Sequence, residues 1–336
     1  LSEPISLRGV EVRVTTSIGV AVFPYDGDDG GLLLRNADAA MYHAKSEGRN
    51  NFQFYTESMN ASSLERYLLE SNLRRALGRG EYLVYYQPRV DIDSMRIMGL
   101  EALLRWNHPD LGLILPDRFI PLLEETGLVG DVGDWVLREA CRQGKVWRDA
   151  GLPPICISVN LSGRQLKRAS LVRDVQRTLE DTQTAPGLLD LELTESTAMQ
   201  DAAGTAATLR ELKSLGIRLS IDDFGTGYSS LSHLKTFPVD TLKIDRSFVR
   251  DVTTNPDDAA IAEAIVAMAK ALRHDIVAEG VENHAQALAL RDKGCMQAQG
   301  YYFAPALPAD KCRELLVRQA ASLPFIPQRY VDKGRH

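Results

Sequence analysis

No charge-free apolar run in these 336 residues approaches the ~18 that a membrane-spanning helix needs. The N-terminus also lacks the basic-then-apolar layout of a secretory signal. Cysteine is scarce: Cys141, Cys156, Cys295 and Cys312 form no CxxC pair, and none stands at zinc-finger spacing from a histidine. A disulfide scaffold and a structural zinc site are therefore not expected, and four reduced, mostly buried thiols point to the cytoplasm. Positive charge is short as well. Thirty-nine Lys and Arg against 45 Asp and Glu leave a net charge of −6, so no global positive field holds a nucleic-acid polymer by counterion release. The six histidines are scattered without ligand spacing, and the His274–Asp275 pair reads as a helix-to-strand junction.

What remains is the balance of a folded, water-soluble protein: 44% hydrophobic, 25% charged, 25 Gly and 15 Pro. The length fits two ordinary domains, or one barrel with something attached. The chain opens at Leu1, already within structured sequence, and reads as part of a longer protein.

Val12, Val14, Ile18, Val20 and Val22 fall on even positions, predicting a half-buried strand over 12–22. A helix over 32–44, capped near Gly48, and a strand over 52–55 follow. This stretch, 1–57, is too short to bury a robust core unaided and reads as the tail of a domain. Leu64, Leu68, Leu69, Leu73 and Leu77 form the apolar stripe of an amphipathic connecting helix within 58–80. From 81 to 320, eight β-rich runs alternate with helical stretches: 82–87, 97–104, 155–160, 189–195, 218–224, 241–245, 275–281 and 299–303. Residues 321–336 form a tail.

Strand and helix in alternation predict an α/β fold, a (β/α)8 TIM-like barrel. The first two runs are too close for a crossover helix and should pair antiparallel, so the barrel is a modified one.

Polar groups punctuate those strands: Glu101, Asn160, Glu192, Glu195, Asp222, Asp223, Lys243, Glu279 and Gln299. Each alone has a plain reading. Asp223 or Glu195 can cap a helix, and a lone strand lysine usually snorkels to the surface. Together they converge on the carboxyl end of a barrel, where carboxylates repel unless cations intervene. An all-oxygen set suits Mg²⁺ or Mn²⁺, with enough ligands for two ions. Gly225 and Gly227 lack the third glycine of a dinucleotide fingerprint and read as a tight loop beside this site.

The segments EALLRW (101–106), YQP (86–88), VNLS (159–162), LELTES (191–196), DDFGTGYSSL (222–231), LKID (242–245), AEGVEN (278–283) and QGYYF (299–303) resemble, in order, the EAL-domain cyclic di-GMP phosphodiesterases. The resemblance runs from about 64 to 315. It implies Glu101, Asn160, Glu192, Asp222 and Asp223 as metal ligands, with Glu279 as a further ligand or proton acceptor. It also implies that Lys243 holds the attacking water, Gln299 steadies a metal's water shell, and Glu195 anchors the 225–230 loop on which dimers depend. Gln87, Leu103, Arg105 and Asp223 match ligand-facing positions, and linear pGpG is the implied product. One departure stands out: the last strand continues as Phe303, Ala304, Pro305, Ala306, Leu307, Pro308, without the family's basic residue.

Residues 1–57 resemble the C-terminal end of a GGDEF diguanylate cyclase domain through TTSIGVAVFP (15–24), NADAAMYHAK (36–45) and GRNNFQFY (48–55). Its signature loop is not in this sequence. Besides the hydrolase, two readings compete: a non-hydrolysing cyclic di-GMP receptor of the same fold, and a scaffold acting through protein contacts. A receptor typically loses part of the metal set, and a scaffold does not require so many strand-end carboxylates.

Overall fold

Leucine-rich and β-branched runs separated by amphipathic helices close here into a ring. A computed structural model describes residues 5–7, 10–12, 15–46, 50–227 and 234–323 of the chain. Two units are distinguished, Leu1–Gly78 and Arg79–His336.

In the first unit, β1 (Ile5–Leu7) pairs antiparallel with β2 (Val10–Val12), and β3 (Ile18–Val20) pairs parallel with β4 (Phe52–Phe54). Of the strand expected over 12–22, the described residues place Val12 at the end of β2 and Ile18–Val20 in β3. The helices Gly30–Ser46 and Glu57–Ala76 complete the unit, with Ala39, Ala40 and Met59 packed against Tyr55. Gly48, the expected cap, lies outside the described residues.

In the second unit, β5 (Tyr82–Asp91), β6 (Ile97–His108), β8 (Cys156–Asn160), β9 (Leu189–Thr194), β10 (Arg218–Phe224), β11 (Thr241–Ile244), β12 (Asp275–Ala278) and β13 (Gln297–Gln299) form the barrel. A short β7 (Gly112–Ile114) extends β6 outward. The ring closes because β5 pairs antiparallel with both β6 and β13, while β6 and β8 through β13 run parallel. The antiparallel hairpin expected from the short link between runs 82–87 and 97–104 is present, its connection reduced to residues 92–96, and β5 is the one reversed strand of an otherwise parallel ring.

Helices cover the outside. Val132, Val136 and Ala140 recur at helical spacing along Val129–Asp149 and are buried, as the amphipathic pattern requires. Trp106, Phe119, Trp147 and Tyr86 are among the largest fully buried side chains. No helix among the described residues is long and apolar enough to cross a membrane.

Most of the expected strands end elsewhere: the first two run on to Asp91 and His108, the fourth and sixth stop at Thr194 and Ile244, and the last two differ in ways that bear on the site. The eighth run, placed at 299–303, forms its ladder at Gln297–Gln299 and then turns, so Gln299 closes the strand instead of opening it. The backbone of that segment is diverted: Leu307 exchanges hydrogen bonds with Tyr86 of β5 at 2.7 and 2.9 Å. The seventh strand stops at Ala278, which leaves Glu279 just past its end, on the rim.

Candidate metal centre

The parallel strands deliver their carboxyl ends to one rim, and alternation decides which side chains point inward. Asn160 is opposite Glu192 in the ladder, Glu192 opposite Ser220, and Gln87 opposite Glu101. Consecutive Asp222 and Asp223 cannot both point inward from a regular strand. The ladder between β10 and β11 shifts register between Ile221 and Phe224, and Asp223 adopts a left-handed backbone at φ 54°. Such an irregularity re-aims a side chain at a barrel rim, and asparagine and aspartate are the non-glycine residues that tolerate the left-handed region best. Both carboxylates thereby reach the site.

Two triads of carboxylate oxygens result, each within 4.8 Å of one another: Glu101, Glu192 and Asp222, and Asp222, Asp223 and Glu279. Asp222 belongs to both. Lys243, 1% exposed, stands among them, its Nζ 2.6 Å from Glu192, 2.5 Å from Glu279, 3.3 Å from Asp222 and 3.5 Å from Glu101. Five carboxylates around one ammonium leave four negative charges uncompensated if all ionise.

The titration behaviour follows from that crowding. Burial first, then the neighbouring carboxylates Glu101, Asp222 and Asp190, push Glu192 up to about 8 against the pull of Lys243. Burial chiefly drives Glu279 well above the usual carboxylate range. Asp223 rises to about 6 through burial, the charge of Asp222 and a hydrogen bond with Asp245. Burial works to lower Lys243, but the combined field of Asp222, Glu101, Glu192 and Glu279 wins and holds it well above its ordinary value. An oxygen-rich site that resists full ionisation without added positive charge fits a pair of hard divalent cations.

Amides steady the acids. Asn160 donates to Glu101 Oε1 at 2.9 Å, and Gln299 donates to Glu101 Oε2 at 2.5 Å and to Gln87 Oε1 at 3.0 Å. Gln87 in turn donates to the Ala304 carbonyl at 3.0 Å. The diverted 303–308 segment is therefore linked to Glu101 through two glutamines.

Above the acids opens a cavity of about 1040 Å³, lined by Gln87, Leu103 and Arg246 and by the carboxylates of Glu101, Asp222, Asp223 and Glu279, with Glu192 beneath it. Arg105 is not on that lining. Its guanidinium lies 5.5 Å from the Tyr85 ring centroid and donates to the Leu104 carbonyl at 2.8 Å. Asn160 lines instead a smaller apolar cavity of about 310 Å³ beside Leu104, Ile120 and Val132.

Glu195 follows β9 at the start of the helix Glu195–Gln200 and is 1% exposed. Its Oε2 accepts from the Gly225 backbone N–H at 2.7 Å. At Gly225, φ is +102° and a Cβ would come within 2.8 Å of the Phe248 ring, so the turn after Asp223 has room only for glycine. Residues 228–230 of the loop expected to support dimers lie outside the described residues.

Asp245 escaped the sequence reading. It lines the cavity, helps to raise Asp223, and caps the helix Arg246–Arg250 by accepting from Ser247 N at 2.9 Å. Its signal was present two residues beyond Lys243, at the end of LKID.

Comparison with known proteins agrees with this architecture. The EAL domain model matches residues 70–306, and the diguanylate cyclase GGDEF domain model matches residues 1–51. The chain belongs to the EAL domain family. The bifunctional diguanylate cyclase/cyclic di-GMP phosphodiesterase MucR of Pseudomonas aeruginosa is 47% identical over 311 residues, 93% of this chain and 45% of the relative. The cyclic di-GMP phosphodiesterase PdeR of Escherichia coli is 38% identical over 306 residues, 91% of this chain and 46% of the relative. The chain thus spans less than half the length of these relatives. Among solved structures, the MucR phosphodiesterase in complex with c-di-GMP superposes with a TM-score of 0.71 at 47% identity, covering 73% of this chain and 99% of that one. The EAL domain of Mycobacterium smegmatis DcpA gives 0.62 at 35% identity, covering 74% and 99%.

Proposed function

We propose that this barrel hydrolyses cyclic di-GMP to linear pGpG with two Mg²⁺ or Mn²⁺ ions. The observation that carries the reading is Asp222 shared by two carboxylate triads around one buried lysine, under a cavity large enough for a dinucleotide. Relatives named as cyclic di-GMP phosphodiesterases, and the c-di-GMP complex of MucR, support the choice of substrate.

Glu101, Asn160, Glu192 and Asp222 would hold one ion, and Asp222, Asp223 and Glu279 the other. Ions held by these residues would supply a water that ionises near neutral pH and positive charge toward the phosphate oxygens. Lys243 keeps its proton and acts as a fixed positive charge toward the attacking oxygen and the charge developing on the phosphate. Glu279, on the rim beside Lys243, is placed to accept a proton from that water. Gln299 fixes the rotation of Glu101. Gln87 and Leu103 offer a wall for a guanine, Asp223 a ligand contact, and Arg105, once turned from the Leu104 carbonyl, a phosphate contact. The 225–230 region is the proposed homodimer contact, and the cytoplasm the proposed compartment.

Incubation with cyclic di-GMP and Mg²⁺, followed by chromatography, tests the reading. Appearance of pGpG in proportion to loss of cyclic di-GMP is expected; binding without turnover makes the protein a receptor.

A further inference from the structure

One step deeper in the barrel than the acidic rim lies a second polar layer. Asp190, 0% exposed, accepts from Ser220 Oγ at 2.8 Å on both oxygens and from Ser158 Oγ at 3.2 Å. Arg89 Nη1 is 3.7 Å away, close enough for attraction but beyond a hydrogen bond. Gly99 leaves the room that Arg89 occupies, since a Cβ there would fall 2.8 Å from its guanidinium.

Each member stands two residues from a rim residue on the same strand, so it shares that residue's inward face. Asp190 pairs this way with Glu192, Ser158 with Asn160, Ser220 with Asp222, Arg89 with Gln87 and Gly99 with Glu101. A fully buried carboxylate held mainly by hydroxyls is costly relative to one paired with a charge. A leucine would fill a barrel floor more cheaply, and Asp190 lies beneath five rim carboxylates and helps to push Glu192 up. Folding alone does not call for this residue. What it does is tie β8, β9 and β10 together one step below the residues those strands present to the cations.

We propose that Asp190 is a positioning residue: by holding Ser158 and Ser220 it fixes the separation and register of β8, β9 and β10, and so the distances among Asn160, Glu192 and Asp222 as cation ligands. The proposal rests on the two-cation reading of the rim.

The test titrates Mn²⁺ into the 336-residue chain by calorimetry without substrate, comparing wild type, Asp190→Asn and the double variant Ser158→Ala, Ser220→Ala. Both variants are expected to bind Mn²⁺ about tenfold more weakly, the low end of what outer hydrogen-bonding residues contribute. With saturating Mn²⁺, the Michaelis constant for cyclic di-GMP should stay within about twofold of wild type, because the substrate walls are untouched. Unchanged Mn²⁺ affinity with only a lowered melting temperature overturns the proposal. So does weakening in Asp190→Asn alone, which makes the effect one of charge. The double variant keeps the carboxylate and decides the matter if Asp190→Asn does not fold. Failure of the wild type to hydrolyse cyclic di-GMP overturns the proposed function but leaves the Mn²⁺ comparison intact.

Discussion

Replacing Lys243 with methionine keeps the length of the side chain and removes its charge. Its ammonium faces four carboxylate oxygens between 2.5 and 3.5 Å. At an effective dielectric of 20, each such pair is worth roughly 5–7 kcal/mol before the cost of desolvating the ammonium is subtracted. Desolvation consumes most of that sum, and removing one partner of a buried pair costs about 3–5 kcal/mol net. In metal-free protein Lys243→Met should therefore lower stability by that order. Divalent ions should restore part of it, about 2.7 kcal/mol at a hundredfold excess over the dissociation constant. Catalysis responds differently, because cations restore negative-charge balance but not the fixed donor aimed at the reacting oxygens. Turnover should fall by roughly 10² to 10³-fold even at saturating Mg²⁺, the scale of losing one charge-stabilising donor. The assay is steady-state pGpG formation against cyclic di-GMP concentration, with thermal melts with and without Mg²⁺. Full turnover, or a loss carried by the Michaelis constant alone, refutes the assignment and places Lys243 in ground-state binding.

Three further outcomes follow from the same geometry. Excess EDTA should abolish hydrolysis and Ca²⁺ should suppress it, because Ca²⁺ takes more ligands at longer distances than Mg²⁺ tolerates; full turnover in EDTA contradicts the two-ion reading. Metal-free protein should lose stability as pH rises from about 4.5 towards 8, since Glu192 holds its proton in the folded state where the unfolded chain has released it. Melts across that range with saturating Mg²⁺ should show a flatter profile, and a metal-free protein that gains stability with rising pH overturns the argument. Glu195→Ala releases the Gly225 N–H and should shift Mg²⁺ activation by roughly 10–100-fold while weakening self-association in sedimentation; wild-type values for both reduce Glu195 to the first residue of its helix.

The barrel, its reversed strand and the candidate cation ligands were legible because each depends on a local signal. About nine residues between the first two runs exclude a crossover helix, and a carboxylate in an apolar run stands out against its neighbours. Strand ends were less legible. QGYYF has the aromatic content of a strand, but its pairing stops at Gln299 because the next backbone groups turn back and Leu307 is matched to Tyr86. Glu279 moved off its strand for a related reason: ladder pairing with β11 ends at Ile244, opposite Ala278. Val12, Val14, Ile18, Val20 and Val22 fall on even positions, yet among the described residues ladder pairing within 12–22 is found at Val12 and at Ile18–Val20. Alternation reports a face, not a partner.

The two features hardest to read in advance explain how the rim works. Period-two alternation forbids adjacent aspartates from sharing a face, so the DD pair demands a break in β10. The structure makes it with a register shift and a left-handed Asp223. That break lets one strand supply both the carboxylate shared by the two triads, Asp222, and a second member of the outer triad, Asp223. It also leaves the chain at Asp223 pointed away from its ladder, and Glu195 receives the next N–H at Gly225. The reversed β5 makes the matching contribution from the other side. Because it runs against its neighbours, residues that follow Gln87 descend into the barrel, and Arg89 meets Asp190 beneath the rim, where a parallel strand at that position would have sent its later residues outward. The irregularities of this barrel are thus concentrated where the acidic residues must be brought within a few ångströms of one another.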